Sequence, residues 1–249
     1  MNMDNYASEN VMMIDKRKFT MEDLTSRVLV TINAKLPRGW HDETFKKTTR
    51  VAKDSGGFKL LQEPQLAESF SVDRLIDEHN RIGYGANDII VSADFPVPND
   101  AGLPSREVRA RQVTSVDWYE QMKEKIPQTV PVLHGRTTRE IEAHMEMYGE
   151  TEMVCVGSNL ALGTPSNVVG RLGQGKKRGE ASQVVSKENL WKRIIETMKI
   201  LDDRDVFLLG AGGMNAAPIA ALLGATAVDA TSWRVNAMLK QVFATDYGR

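Results

Sequence analysis

Short runs of β-branched and other apolar residues alternate along this chain with longer segments whose apolar residues recur at helical spacing. Residues 28–32 form the first clear run, and helical spacing marks residues 66–82 and 108–126. The unit of strand, polar turn and helix recurs about seven times. This alternation predicts an α/β fold with a parallel sheet. At this number of units a closed (β/α)8 TIM-type barrel, with its site at the C-terminal ends of the strands, is favoured over an open sheet.

Three parts of the chain differ in pattern. Residues 1–25 are polar and rich in methionine without a clear period, so we expect a flexible N-terminal arm. Residues 26–249 are predicted to form a single catalytic barrel domain, a common length for this architecture. Within it, residues from about 157 to 186 are irregular, rich in glycine and basic, which indicates a loop.

Composition narrows the class of protein only slightly. The formal net charge of −1 provides no global positive field, so a nucleic-acid partner would need a local basic patch. Cys155 is the single cysteine, which excludes an internal disulfide and a thiolate zinc cluster, and its apolar neighbours favour a buried thiol over a nucleophile. No stretch approaches the roughly 20 apolar residues of a membrane span. The N-terminus does not resemble a secretory signal, so we expect a cytoplasmic protein.

Carboxylates follow three of the predicted strands. Asp54 opens the turn Asp54-Ser55-Gly56-Gly57, while Asp94 and Asp229 close later apolar runs. In a barrel, side chains at the C-terminal ends of the strands converge on one mouth. The sequence therefore predicts a constructed site, which would also include the strand-end residues His134, Gly157 and Gly210.

Six short segments, in this order, resemble motifs of the tRNA-guanine transglycosylase superfamily. The match extends over roughly residues 28–249, and Lys59 stands where the family motif DSGGFQ has glutamine. The segments are DSGGF at 54–58, IVSADFP at 90–96, VPVLHG at 130–135, VGS at 156–158, LLGAG at 208–212 and VDATSW at 228–233.

The resemblance assigns roles to residues at the matching positions. It implies that Asp229 is the nucleophile, forming a covalent glycosyl ester, and that Asp54 is the acid/base. It also implies a pocket for the guanine base, in which Asp94 accepts hydrogen bonds from the donor edge of the base. The other implied base-binding residues are Ser55, Gly56, Gly57, Phe58, His134, Gly157, Ser158, Gly210, Ala211 and Gly212.

Departures from the family pattern narrow the implied substrate. The zinc-binding module of the family needs three cysteines, so we expect no metal and no other cofactor. This loss resembles the DNA-guanine transglycosylases of 7-deazaguanine DNA-modification systems in bacteria and phages. It implies exchange of guanine in DNA, ahead of tRNA, for a free base such as 7-cyano-7-deazaguanine. The setting would be the cytoplasm of a bacterial or phage-infected host cell, with an accessory protein or a homodimer as a further partner.

Several alternatives stay open. The chain could act on tRNA, be a non-catalytic partner subunit of such an enzyme, or be an unrelated phosphate-binding barrel enzyme. In the last case the glycine-rich segment 210–213 would hold a phosphate at a helix start. His134 could form a hydrogen bond with a substituent of the base. Alternatively, it is a histidine at a strand end whose hydrogen bonds are satisfied within the protein. The basic cluster of the glycine-rich loop could contact the nucleic-acid backbone or be solvated. It comprises Arg171, Lys176, Lys177 and Arg178.

Overall fold

A computed structural model describes residues 4–9, 27–31, 50–57, 59–60, 63–86, 88–97, 103–157, 187–201, 203–210 and 217–230. Within these ranges every strand pairing is parallel, and the predicted α/β class is confirmed. The strands are β1 (Asp4–Glu9), β2 (Arg27–Thr31), β3 (Arg50–Asp54), β4 (Ile89–Val91), β5 (Thr129–Val130), β6 (Val132–Leu133), β7 (Met153–Val156), β8 (Asp205–Leu208) and β9 (Ala227–Ala230).

The described strands form one sheet in the order β5-β4-β3-β2-β1-β9-β8-β7-β6. The two end strands, β5 and β6, are separated in the chain by Pro131 alone. Proline has no N–H to donate, so the strand predicted over residues 130–133 is interrupted there. Hydrogen bonds continue on both sides of the break: Ser92 N–H donates to Val130 O at 2.9 Å, and Cys155 N–H donates to Pro131 O at 2.8 Å.

Strand β1 corrects the prediction of a flexible N-terminal arm for residues 4–9 alone. The rest of the predicted arm, residues 1–3 and 10–25, lies outside the described residues. Residues Asp4–Glu9 pair with β2 on one side and with β9 on the other, in the middle of the sheet order. Backbone pairing on two sides satisfies the main-chain groups of a strand whatever its side chains are. A polar sequence without apolar alternation therefore did not signal this strand.

The helices follow the strands, as the alternation predicts. The helix predicted over residues 66–82 is divided in two: a 3-10 helix (Pro64–Ser69) comes first, and Phe70 and Ser71 then have extended backbone angles. Ser71 caps the helix that follows, because its Oγ accepts the Arg74 N–H at 3.2 Å. The helices are α1 (Val72–Ile82), α2 (Ser105–Lys125), α3 (Thr138–Tyr148), α4 (Lys187–Ile200) and α5 (Ala217–Leu222). In the described part of the chain, none of them is long and apolar enough to cross a membrane.

Side chains on one face of the sheet form a small interior cluster, while the other face packs against the helices. Seven strands contribute one residue each to this cluster: Ala52, Val91, Val130, Val132, Cys155, Phe207 and Ala227. Residues two positions apart on a strand point to the same face. Asp54, His134 and Asp229 each lie two positions after a member of the cluster, so the fold directs them to the C-terminal end of this interior.

Candidate functional site

Three carboxylates influence the pKa of one buried thiol. Cys155, on β7, is completely buried and unpaired with another cysteine, as predicted. Its pKa is raised well above the ordinary value, first by burial and then by the negative charges of Asp54, Asp94 and Asp229. The thiol is therefore a poor nucleophile. The carboxylates at the end of β3, after β4 and on β9 thus act on one buried atom. That they form one catalytic site stays a prediction.

Asp94 and His134 form a buried pair at this site. His134 Nε2 lies 2.7 Å from Asp94 Oδ2, and the exposed fractions of the two residues are 1% and 7%. Since an ionised carboxylate only accepts, this bond needs the proton on Nε2. Ser55 Oγ lies 3.4 Å from Asp94 Oδ1 and 2.8 Å from Ser92 O. The resemblance implies that Asp94 accepts hydrogen bonds from the base, and in the structure one of its oxygens is already bonded to His134.

Glycine is required beside this pair for two reasons. Gly56 has φ 84°, a conformation that glycine adopts without strain. A Cβ on Gly57 would lie 2.6 Å from Asp94 Cγ, and one on Gly157 would lie 3.0 Å from His134 Nδ1. The resemblance implies that Gly56 and Gly57 bind the base, which needs open space beside the turn. At Gly57 the protein's own Asp94 side chain fills that space.

The backbone of His134 is fixed by two side chains that sequence reasoning missed. His134 N–H donates to His144 Nδ1 at 3.0 Å, and Gln112 Nε2 donates to His134 O at 2.8 Å and to Glu140 O at 2.9 Å. Burial, and then the neighbouring His134, lower the pKa of His144 to about 3, which keeps this ring neutral and able to accept. One sequence signal existed: Gln112 is polar at a position four residues after Val108, on the buried face of α2.

Asp229 ionises near neutral pH. Its carboxyl group is buried in β9, and Gly210 N–H donates to Oδ1. Burial raises the pKa of Asp229 from 3.8 to about 6, against the opposing effect of the hydrogen bond from Gly210. Desolvation by burial is thus the largest influence on the pKa of Asp229. The same bond uses the first amide of the segment 210–213, which weakens the phosphate-cradle interpretation of that segment.

Nine of the predicted site residues lie within the described ranges. They are Asp54, Ser55, Gly56, Gly57, Asp94, His134, Gly157, Gly210 and Asp229. The others lie outside those ranges: Phe58, Ser158, Ala211, Gly212, Arg171, Lys176, Lys177 and Arg178. Among the described side chains, no group of three His, Cys, Asp or Glu residues could hold a metal ion.

No protein-family model matches the chain, and no curated protein matches it. The resemblance to the transglycosylases thus stays a prediction from the motifs. Chemically, the site combines the half-buried Asp54 with the buried Asp229 and the Asp94–His134 pair. Such a set can supply a carboxylate nucleophile, a proton donor and polar groups that select a ligand.

Proposed function

We propose that this protein is a guanine base-exchange transglycosylase with a closed eight-stranded barrel. In this proposal β5 and β6 act as one strand broken at Pro131, so that the strand order returns to its start. The polymer is DNA ahead of tRNA, and the incoming base is a 7-deazaguanine such as 7-cyano-7-deazaguanine. The observation that carries the proposal is that the negative charges of Asp54, Asp94 and Asp229, which lie far apart in the sequence, all act on the buried Cys155.

Asp229 is the proposed nucleophile. Its carboxylate attacks C1′ of the guanine nucleotide as the bond from C1′ to N9 breaks, and the electron pair of that bond leaves with guanine. Poor solvation of the buried carboxylate favours attack over hydration, and the Gly210 N–H orients Oδ1. With a pKa of about 6, Asp229 is mostly ionised at pH 7 and above. The product is a glycosyl ester, which divides one difficult substitution into two easier ones.

Asp54 is the proposed acid/base. At the end of β3 and half buried, it gives a proton to the departing guanine. Asp54 then takes the N9 proton of the incoming 7-deazaguanine, whose nitrogen attacks C1′ and releases the Asp229 carboxylate. Two displacements at C1′ retain the configuration of the glycosidic bond.

Asp94 and His134 are the proposed readers of the base. Asp94 Oδ1 can still accept a hydrogen bond, because Ser55 Oγ lies at the long distance of 3.4 Å from it. A buried acceptor facing the donor edge of guanine would be left unpaired by adenine, which selects against adenine. His134 stands where the family has glutamine, and its contact with Asp94 fixes the position of both side chains.

Two rival functions are less well supported. A non-catalytic partner subunit has no need of a buried carboxylate such as Asp229, whose ionisation is unfavourable in this environment. A phosphate-binding barrel enzyme would use the amides of residues 210–213, but the Gly210 N–H is already bonded to Asp229.

The test is release of labelled guanine. DNA and tRNA that contain radiolabelled guanine are incubated separately with the protein, 7-cyano-7-deazaguanine and any accessory protein encoded beside it. We expect release from DNA, its loss in Asp229→Asn, and its retention in Asp117→Asn, which removes an exposed carboxylate on α2. Release of guanine from tRNA but not from DNA would show that the polymer substrate is tRNA. No release from either polymer would refute the function.

A further inference from the structure

A cavity of about 380 Å³ lies beside the Gly56 turn, and neither Asp94 nor His134 is among its lining residues. This volume is within the range of small-ligand pockets. Ser55 and Gly56 form part of its wall, so the cavity begins one residue after Asp54. Consecutive Cα atoms are about 3.8 Å apart, so the cavity wall begins directly beside Asp54.

The rim of this cavity is cationic. Among its ten lining residues, Lys59 and Arg74 are the charged ones, and no acidic residue lines it. Both side chains are exposed, and neither forms an ion pair with another described residue. Ser69 and Ser71 add exposed hydroxyl groups. Cations and hydroxyls without acids are the groups that contact phosphodiesters in protein–nucleic acid interfaces.

The rest of the lining is apolar. Leu60 and Leu75 are buried, and Leu66 and Phe70 are half buried. Phe70 is held by Trp118, whose ring centroid lies 4.4 Å away. An inorganic anion gains nothing from such a surface. A ligand that combines a flat or apolar part with an anionic group, as a nucleotide does, uses both parts of the lining.

We propose that this cavity binds a nucleotide next to the exchanged guanosine, with Lys59 and Arg74 contacting its phosphodiester. The inference rests on the proposed function and adds a location for the polymer among the described residues. The basic cluster at 171–178 is then not required as the sole backbone contact. The contact is independent of base sequence, because phosphate groups carry no sequence information.

The test compares polymer binding and exchange in matched variants. Binding of a fluorescent single-stranded DNA oligonucleotide containing guanine is titrated at several salt concentrations for wild type, Lys59→Gln/Arg74→Gln and Lys192→Gln. Lys192 is exposed on α4 and does not line the cavity. We expect about tenfold weaker binding for the double variant, with the slope of log K against log salt reduced by about 0.7 for each lost phosphate contact. Lys192→Gln should match wild type.

Exchange kinetics separate this inference from the function. The double variant should show a raised KM for the polymer with kcat within about twofold of wild type. Wild-type exchange with an unchanged KM and salt slope in the double variant would refute the cavity assignment and leave the function standing. Absence of exchange by the wild type would refute both. Competition by inorganic phosphate as strong as that of the oligonucleotide would refute a nucleotide site.

Discussion

His134 Nε2 lies 2.7 Å from Asp94 Oδ2 in a buried pair that joins the segment after β4 to the end of β6. Asp94 follows β4, which pairs with β5, and His134 follows β6, which Pro131 alone separates from β5. Gly57 and Gly157 flank the pair and leave no room for a Cβ. The site is thus held by mutual packing of distant segments, and its selectivity depends on this pair staying intact.

Breaking the pair should cost stability as well as selectivity. Asp94→Asn and His134→Gln each leave a buried polar group with an altered partner, and we expect the free energy of unfolding to fall by about 1–3 kcal/mol for each. The double variant should lose less than the sum of the two, because the partners are in direct contact. Urea titration of all four proteins measures this coupling. Strict additivity would contradict the contact.

Alanine at Gly57 should disrupt the site, since a Cβ there would lie 2.6 Å from Asp94 Cγ. We expect a loss of about 1–3 kcal/mol in unfolding free energy and a weakened affinity for the free base. Gly85→Ala is the matched control, because the nearest atom to its Cβ is 4.0 Å away. Calorimetry of base binding and urea unfolding measure both effects. Equal behaviour of the two variants would show that Gly57 is not packed against Asp94.

Asp229→Asn should be more stable than wild type at neutral pH. The pKa of Asp229 is raised by burial from 3.8 to about 6, so the unfolded chain loses this proton first as pH rises. Stability is therefore fully present below pH 3.8 and is lost as the pH passes through 6. Above pH 6, the buried charge of Asp229 lowers the free energy of unfolding by about 1–3 kcal/mol. The free energy of unfolding is measured for both proteins at pH 5 and pH 8, and the stabilisation of Asp229→Asn over wild type should be larger at pH 8. A stabilisation that did not grow with pH would contradict the raised pKa of Asp229.

His79 should destabilise the protein in acid. Its ring is fully buried, neither ring nitrogen has a hydrogen-bond partner among the described residues, and burial followed by the charge of Lys53 lowers its pKa from 6.5 to about 4. The unfolded chain binds this proton first, so stability is complete above pH 6.5 and falls as pH decreases toward 4. The full loss is about 3 kcal/mol. His79→Leu should lessen the difference between unfolding at pH 7 and at pH 4.5, and an undiminished difference would assign the acid sensitivity elsewhere.

The sequence predicted the parts of the fold that carry apolar periodicity and the residues that follow apolar strands. Asp54, His134 and Asp229 could be predicted to lie at the C-terminal ends of strands, and each follows a residue of the small buried cluster by two positions. Strand β1 was missed since its pairing is made by backbone groups, which leave no apolar pattern.

Contacts between segments that are distant in the chain could not be predicted from the sequence. The occupation of Asp94 by His134, and the bond from Gln112 to the His134 carbonyl, depend on how the segment after β4, the end of β6 and α2 meet. Single-residue patterns do not contain such pairings. The break in the helix at residues 70–71 was foreseeable in part from Ser71, because serine favours an N-cap position over a helix interior.

The most direct test of the account is the identity of the residue that bonds the sugar. The protein is mixed at pH 7.5 with a guanine-containing oligonucleotide in the absence of incoming base, quenched, digested and analysed by mass spectrometry. We predict a sugar-linked adduct on the peptide that contains Asp229, absent in Asp229→Asn, with a yield that rises as pH passes through about 6. An adduct on another residue, or one that survives in Asp229→Asn, would contradict the account.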